Sequence, residues 1–182
     1  MMKRLLISLL LSSPFVLTGC IQNIQDVSAN GLTLRVSADQ ISSTLQDSFP
    51  VIQNFQYGSV ELSDPQAILK QGSDRMVTGT TIAYSNDLIP EQKGALYISG
   101  SPFFNAQSGE IFLRAPKIEK MEFNGYNLFD YVQKPLVDAL QPVINNLFAQ
   151  NPIYRIDKSS ISNSFIKNVA VSDGALLVTF GL

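Results

Sequence analysis

The 182-residue chain contains no histidine and no tryptophan, and its single cysteine is Cys20. Each absence closes a class of function. Without an imidazole, the Ser-His-Asp and Cys-His nucleophiles cannot be built. The usual Cys/His zinc sites are excluded on the same ground. One thiol cannot form an internal disulfide, so the cysteine count does not report the redox compartment. Charge is also scarce: 15% of residues are charged, against about a quarter in an average soluble protein. The net charge is −2, and the balance shifts further towards acid beyond Lys3 and Arg4. No basic stripe exists to meet a phosphate backbone, so nucleic acid is set aside as a partner. Hydrophobic residues, at 45%, suffice for a core, and the length suits one domain.

The N-terminus carries the clearest signal. Lys3 and Arg4 precede an apolar stretch from Leu5 to Leu17, broken by serines and Pro14. This is the layout of a secretion signal. The stretch is shorter than the roughly 20 apolar residues that a spanning helix needs, and Pro14 would damage a long helix. Its end, Leu17-Thr18-Gly19-Cys20, resembles the lipobox of bacterial lipoproteins. That resemblance implies cleavage after residue 19, a diacylglyceryl group on the Cys20 thiol, and an acylated Cys20 amine. Two or more acyl chains hold a protein firmly on a bilayer, where one does so only marginally. Ile21 follows, where an Asp tends to retain such proteins in the inner membrane of enteric-type bacteria. The implied address is therefore the inner leaflet of the outer membrane, facing the periplasm. Residues 20–30 read as a polar tether, and 31–182 as the folded domain.

Beyond the tether, Leu32, Leu34 and Val36 alternate as in a half-buried strand. Ser37 and Gln40 have capping-box spacing, and Val36 with Ile41 fits a hydrophobic staple. Ile41, Leu45 and Phe49 share one helical face, and Pro50 ends the helix, which is predicted over 38–48. Strand patterns follow around Val60 and Leu62, over 76–84, 95–101, 110–115 and 118–123. Asp64-Pro65 and Asn105 to Gly109 read as turns, and 86–93 as a loop. Short connections favour antiparallel pairing. The period then changes. Leu128, Val132, Leu136, Leu140, Ile144 and Leu147 form a stripe, widened by Phe129, Val137, Val143 and Phe148. This predicts an amphipathic helix of about 20 residues, bent at Pro135 and Pro142 and ended at Asn151-Pro152. A hairpin closes the chain, with Asp173-Gly174 as its two-residue turn and Leu176, Val178 and Phe180 on one face.

The order of these elements resembles the YceB-like periplasmic lipoproteins, a family labelled as a domain of unknown function. The similarity is carried by Phe49-Pro50-Val51, the strands from Gly94 to Phe123, and the helix from Leu128 to Pro152. It implies a single module of the tubular lipid-binding (TULIP) architecture. The expected fold is α+β: one curved antiparallel sheet wrapped against a long amphipathic helix, with a groove between them for an apolar ligand.

Candidate chemistry is thin. Glu119, Glu122 and Asp130 fall near each other in sequence. In a regular strand Glu119 and Glu122 point to opposite faces, which favours solvated charges over a catalytic pair. Asp138 and Lys134 have the spacing of a surface pair. No glycine-rich loop with a P-loop lysine occurs. Phe103 and Phe104 are adjacent, so one faces in and one out. The expectation is a non-enzymatic protein with no catalytic residues, metal or cofactor, joined to the membrane through lipid on Cys20. An apolar ligand would lie along Leu136, Leu140, Val143, Ile144 and Leu147. The alternative is a protein-interaction or envelope-maintenance lipoprotein with a filled core, no ligand, and a partner that the residues do not name.

Overall fold

A computed structural model describes residues 24–28, 31–56, 58–88, 90–123, 130–156 and 165–181. The leader, the lipobox and the stripe residues Leu128 and Phe129 lie outside the described residues. Strand accounts for 59% of what is described, so the chain is predominantly β. It forms two antiparallel sheets. The smaller holds β1 (Ile24–Ser28), β2 (Gly31–Ser37), β10 (Ala175–Gly181) and β9 (Phe165–Ser172), in that spatial order. The larger runs β3 (Val51–Phe55), β4 (Gly58–Ile68), β5 (Met76–Ser85), β6 (Gln92–Asn105), β7 (Glu110–Phe123) and β8 (Tyr154–Arg155). Ile24–Ser28, within the stretch read as tether, thus adds a strand beside β2.

This corrects the expected α+β architecture of one curved sheet wrapped on a long helix. There are two sheets, and the second helix, α2 (Asp130–Gln150), packs along β7 above all. The physical reason is that an amphipathic stripe demands only a covering surface, and one strand's buried row with its neighbouring core suffices.

Local chemistry explains the elements. At the start of α1 (Ala38–Gln46), the Ser37 hydroxyl accepts from the Gln40 amide at 3.3 Å, and the Gln40 side chain accepts from the Ser37 amide at 2.9 Å. The capping box is therefore closed in both directions. Ile41 and Leu45 are buried, seating α1 on β4. At the far end of α1, Asp47 pairs with Arg155 of β8 at 3.7 Å. Met76, Thr78, Thr80 and Ile82 alternate inwards along β5, as do Leu96 and Ile98 on β6. In the terminal hairpin, Asp173 and Gly174 both have positive φ, 50° and 69°, as the tight turn requires. Leu176, Val178 and Phe180 are buried opposite Val36, Leu34 and Leu32.

Two sequence expectations change form. Asp64-Pro65 is not a turn between strands but a bulge within β4, between the Ser63–Thr81 and Gln66–Gly79 pairs. Proline is tolerated there because a bulged residue need not donate to the ladder. The separate strands expected over 110–115 and 118–123 are one strand, β7, carrying two bulges. The register skips a residue between Arg114 and Lys117 and again at Glu119. Each extra residue flips the inward phase, from Ile111 and Leu113 to Ile118 and then to Met121.

Candidate functional site

The first bulge of β7 borders two adjoining surface features. Ala115, at φ +47°, lies in the left-handed region that side chains disfavour. Beyond Ile111, β8 no longer accompanies this edge of β7, and α2 runs beside it instead. Gln141 of α2 takes the place of a neighbouring strand. Its side-chain oxygen accepts from the Ile118 amide at 3.1 Å, and its nitrogen donates to the Pro116 carbonyl at 2.9 Å. That amide satisfies an edge which would otherwise present open pairing groups.

A groove of about 360 Å³ opens between β7 and α2. The hairpin register sets Phe103 directly opposite Phe112, with ring centroids 6.0 Å apart and planes 34° apart. Arg114 lies two residues along from Phe112, and its guanidinium sits 4.5 Å from the Phe103 ring centroid. Asn145, the buried Phe148 and the exposed Ala149 supply the helical wall.

A shallower cleft of about 660 Å³ adjoins it, sharing Ala115, Pro116 and Asn145. Arg75 donates through Nε and Nη2 to the Ser99 hydroxyl, at 3.1 and 2.8 Å, and through Nη2 to the Ala115 carbonyl at 3.2 Å. Ser99 is buried and donates to Glu119 Oε1 at 2.6 Å, while Lys117 Nζ lies 3.5 Å from Glu119 Oε2. The Ser99 hydrogen bond holds the Glu119 carboxyl below the usual carboxylate range. Desolvation acts against this, and the charges of Lys117 and Arg75 add to it. A carboxylate held ionised in this way is a weak base, better suited to fixing charge than to taking a proton.

The residues singled out from the sequence distribute as follows. Leu136, Leu140, Ile144 and Leu147 are buried in the core, and Val143 is half-buried. The structure brings these five together on α2, but none of them lines either cleft. Glu119 is the extra residue of the second bulge, so simple alternation does not describe it; Glu122 pairs with Lys120. Lys134 and Asp138 form the expected pair at 2.7 Å. Phe103 faces the groove while Phe104 packs against the core. The side chain of Asp130, and Leu17, Thr18, Gly19 and Cys20, lie outside the described residues. Sequence reasoning passed over Phe112, Arg114 and Arg75. The first two were within reach, because closing a hairpin over Asn105 to Gly109 sets Phe112 opposite Phe103; Arg75 enters from a different hairpin and carries no such signal.

No helix among the described residues is long and apolar enough to cross a membrane. No curated protein matches the chain. A family described as protein of unknown function (DUF1439) matches residues 36–172, a span that takes in both helices, both clefts and the whole larger sheet but only β9 and the end of β2 from the smaller one, and the chain belongs to that family.

Proposed function

We propose that the chain is a lipoprotein of the bacterial envelope, of the YceB-like kind, that binds an apolar or amphiphilic ligand without chemical change. Lipid on Cys20 anchors it in the inner leaflet of the outer membrane, with its body in the periplasm. The observation that carries the binding reading is the phenylalanine-lined groove beside β7. Its volume, about 360 Å³, falls in the roughly 300–1,000 Å³ range of small-ligand sites. Its walls pair apolar rings with a few polar groups, Asn105, Arg114 and Asn145, which is the usual composition of such sites. The ligand would leave water for the groove, gaining about 0.8 kcal/mol for each methylene buried. The apolar stripe of α2 is committed to the core, so the groove, rather than the space under the helix, is the binding surface of this reading.

The chain from residue 21 onwards contains every described strand and helix. Released from the envelope without detergent and weighed intact, it is expected to carry a stoichiometric apolar ligand. Ala149→Trp, which fills the groove from an exposed helical position, is expected to arrive empty. Protein that is empty in both forms and ignores added fatty acids would refute the binding reading. The anchor is tested separately: labelled palmitate should enter the full chain and not its Cys20→Ser variant. Equal labelling of the two would refute the anchor.

One observation favours a second reading, a protein-interaction role. The outer edge of the larger sheet is β3, where Ile52 is 62% exposed. A partner adding a strand there would be lost on Ile52→Lys, with the groove unaffected.

A further inference from the structure

We infer that the groove takes a single-chain amphiphile with an anionic head, gripped by Arg114 with Arg75 behind it. The inference rests on the groove-binding reading above and specifies its ligand. The volume limits the tail. About 360 Å³ is roughly a dozen times the 30 Å³ that one water occupies in the liquid, and a methylene needs about the same space. One chain of medium length therefore fills the groove.

Charge selects the head. Arg114 is exposed, lies over Phe103, and makes no ion pair with a described carboxylate. Arg75 directs its hydrogen bonds to the Ser99 hydroxyl and the Ala115 carbonyl, and likewise makes no such ion pair. Arg114 lines the groove and Arg75 the adjoining cleft, and the two features share Ala115, whose carbonyl Arg75 holds. Glu119 is the acid of this surface, and its charge is already met by the Ser99 hydroxyl, Lys117 and the nearby charge of Arg75. The surface thus holds Arg75, Arg114 and Lys117 against one carboxylate. A guanidinium lying over an aromatic ring keeps its N–H groups free at its edge, the geometry that carboxylate and phosphate accept in two parallel hydrogen bonds. The apolar rings lie directly beside that edge. A neutral chain would leave the positive excess unanswered, and a cationic one would be repelled.

Calorimetric titration of residues 21–182 with decanoate, decanol and decyltrimethylammonium, each kept below its micelle threshold, tests the assignment. Decanoate is expected to bind about tenfold more tightly than decanol, with the cation weakest. Arg114→Gln, an exposed change that leaves the thermal midpoint in place, is expected to bring decanoate down to the level of decanol while decanol itself is unchanged. Equal binding of decanoate and decanol to the natural chain, or an undiminished preference in Arg114→Gln, overturns the anionic head and leaves the groove standing. Binding to phosphatidylglycerol vesicles without any binding of monomeric decanoate overturns it in favour of a membrane surface. If no chain compound binds and Ala149→Trp alters nothing, the groove reading falls together with this inference.

Discussion

Ser42→Ala should be among the costliest single-atom deletions in the protein. Ser42 sits on the buried face of α1, and its hydroxyl makes two bonds. It donates to the Ala38 carbonyl at 2.8 Å, within its own helix, and accepts from the Ala67 amide of β4 at 2.8 Å. The first bond is dispensable, because the Ala38 carbonyl remains in the helical ladder. The second is not. Ala67 lies just past the Asp64-Pro65 bulge, and its amide is buried where the regular ladder has just been interrupted. Removing the hydroxyl leaves that donor without a partner, which costs about 1–3 kcal/mol. Alanine returns about 0.5 kcal/mol through its better helix propensity. The net loss is about 0.5–2.5 kcal/mol. For a chain of this size each kcal/mol moves the thermal midpoint by about 2–4 °C, so a fall of roughly 1–10 °C is expected. Thr44→Ala is the control. Its hydroxyl also bonds backwards within α1, to the Gln40 carbonyl at 3.1 Å, and it serves no strand. Thermal and urea unfolding of both variants, followed by circular dichroism, should separate them clearly. If Ser42→Ala falls no further than Thr44→Ala, the amide of Ala67 has found another acceptor and the argument is wrong.

Two further outcomes follow from the same geometry. A Cβ built at Gly100 would lie 2.3 Å from Leu113 Cγ, so Gly100→Ala must push Leu113 out of its place between core and groove; a loss of about 1–3 kcal/mol in urea unfolding is expected, and an unchanged midpoint would contradict the packing. Glu119 has a folded pKa below its unfolded value, so its ionised form adds stability above the ordinary glutamate value of about 4.5, and that stability is lost as pH falls through the lower folded value. Ser99→Ala removes the main cause of the depression, so the stability gap between natural chain and variant should narrow on moving from neutral pH to well below 4.5; a gap that stays constant or widens would show that Ser99 does not act through the carboxylate.

The local elements were legible wherever one short segment decides its own structure. Ser37 and Gln40 spell a cap regardless of what lies elsewhere, and Asp173-Gly174 spells a turn that only positive φ satisfies. Alternation placed most strands for the same reason. It could not assign partners, because Leu32, Leu34 and Val36 face inwards equally well beside any strand. Their actual partner, β10, arrives from the other end of the chain, and Arg35 reaches the Asp173 carbonyl across 138 positions of sequence. The division into two sheets is a property of such distant pairings, so one continuous sheet was the wrong extrapolation. Asp64-Pro65 misled because the same dipeptide serves turns and bulges, and only the strand on its far side distinguishes them.

The site was harder to read for a connected reason. Period-two reasoning assumes an unbroken ladder, and the groove exists where the ladder breaks. The extra residue at Ala115 turns β7 away from its regular course, and Gln141 of α2 rather than a strand closes the edge. Phe112 and Arg114 project to one side of that break, while Ser99 brings Arg75 and Glu119 to the other. The core-facing stripe of α2 was the louder signal, since burying a helix takes many apolar residues at a fixed period, whereas a groove takes a few placed by register. Hydrophobic periodicity thus measures what the fold consumes for its own packing. The groove is lined by residues that the pattern does not need: an outward phenylalanine pair, an arginine with no ion pair to a described carboxylate, and an alanine in a backbone conformation that it does not favour.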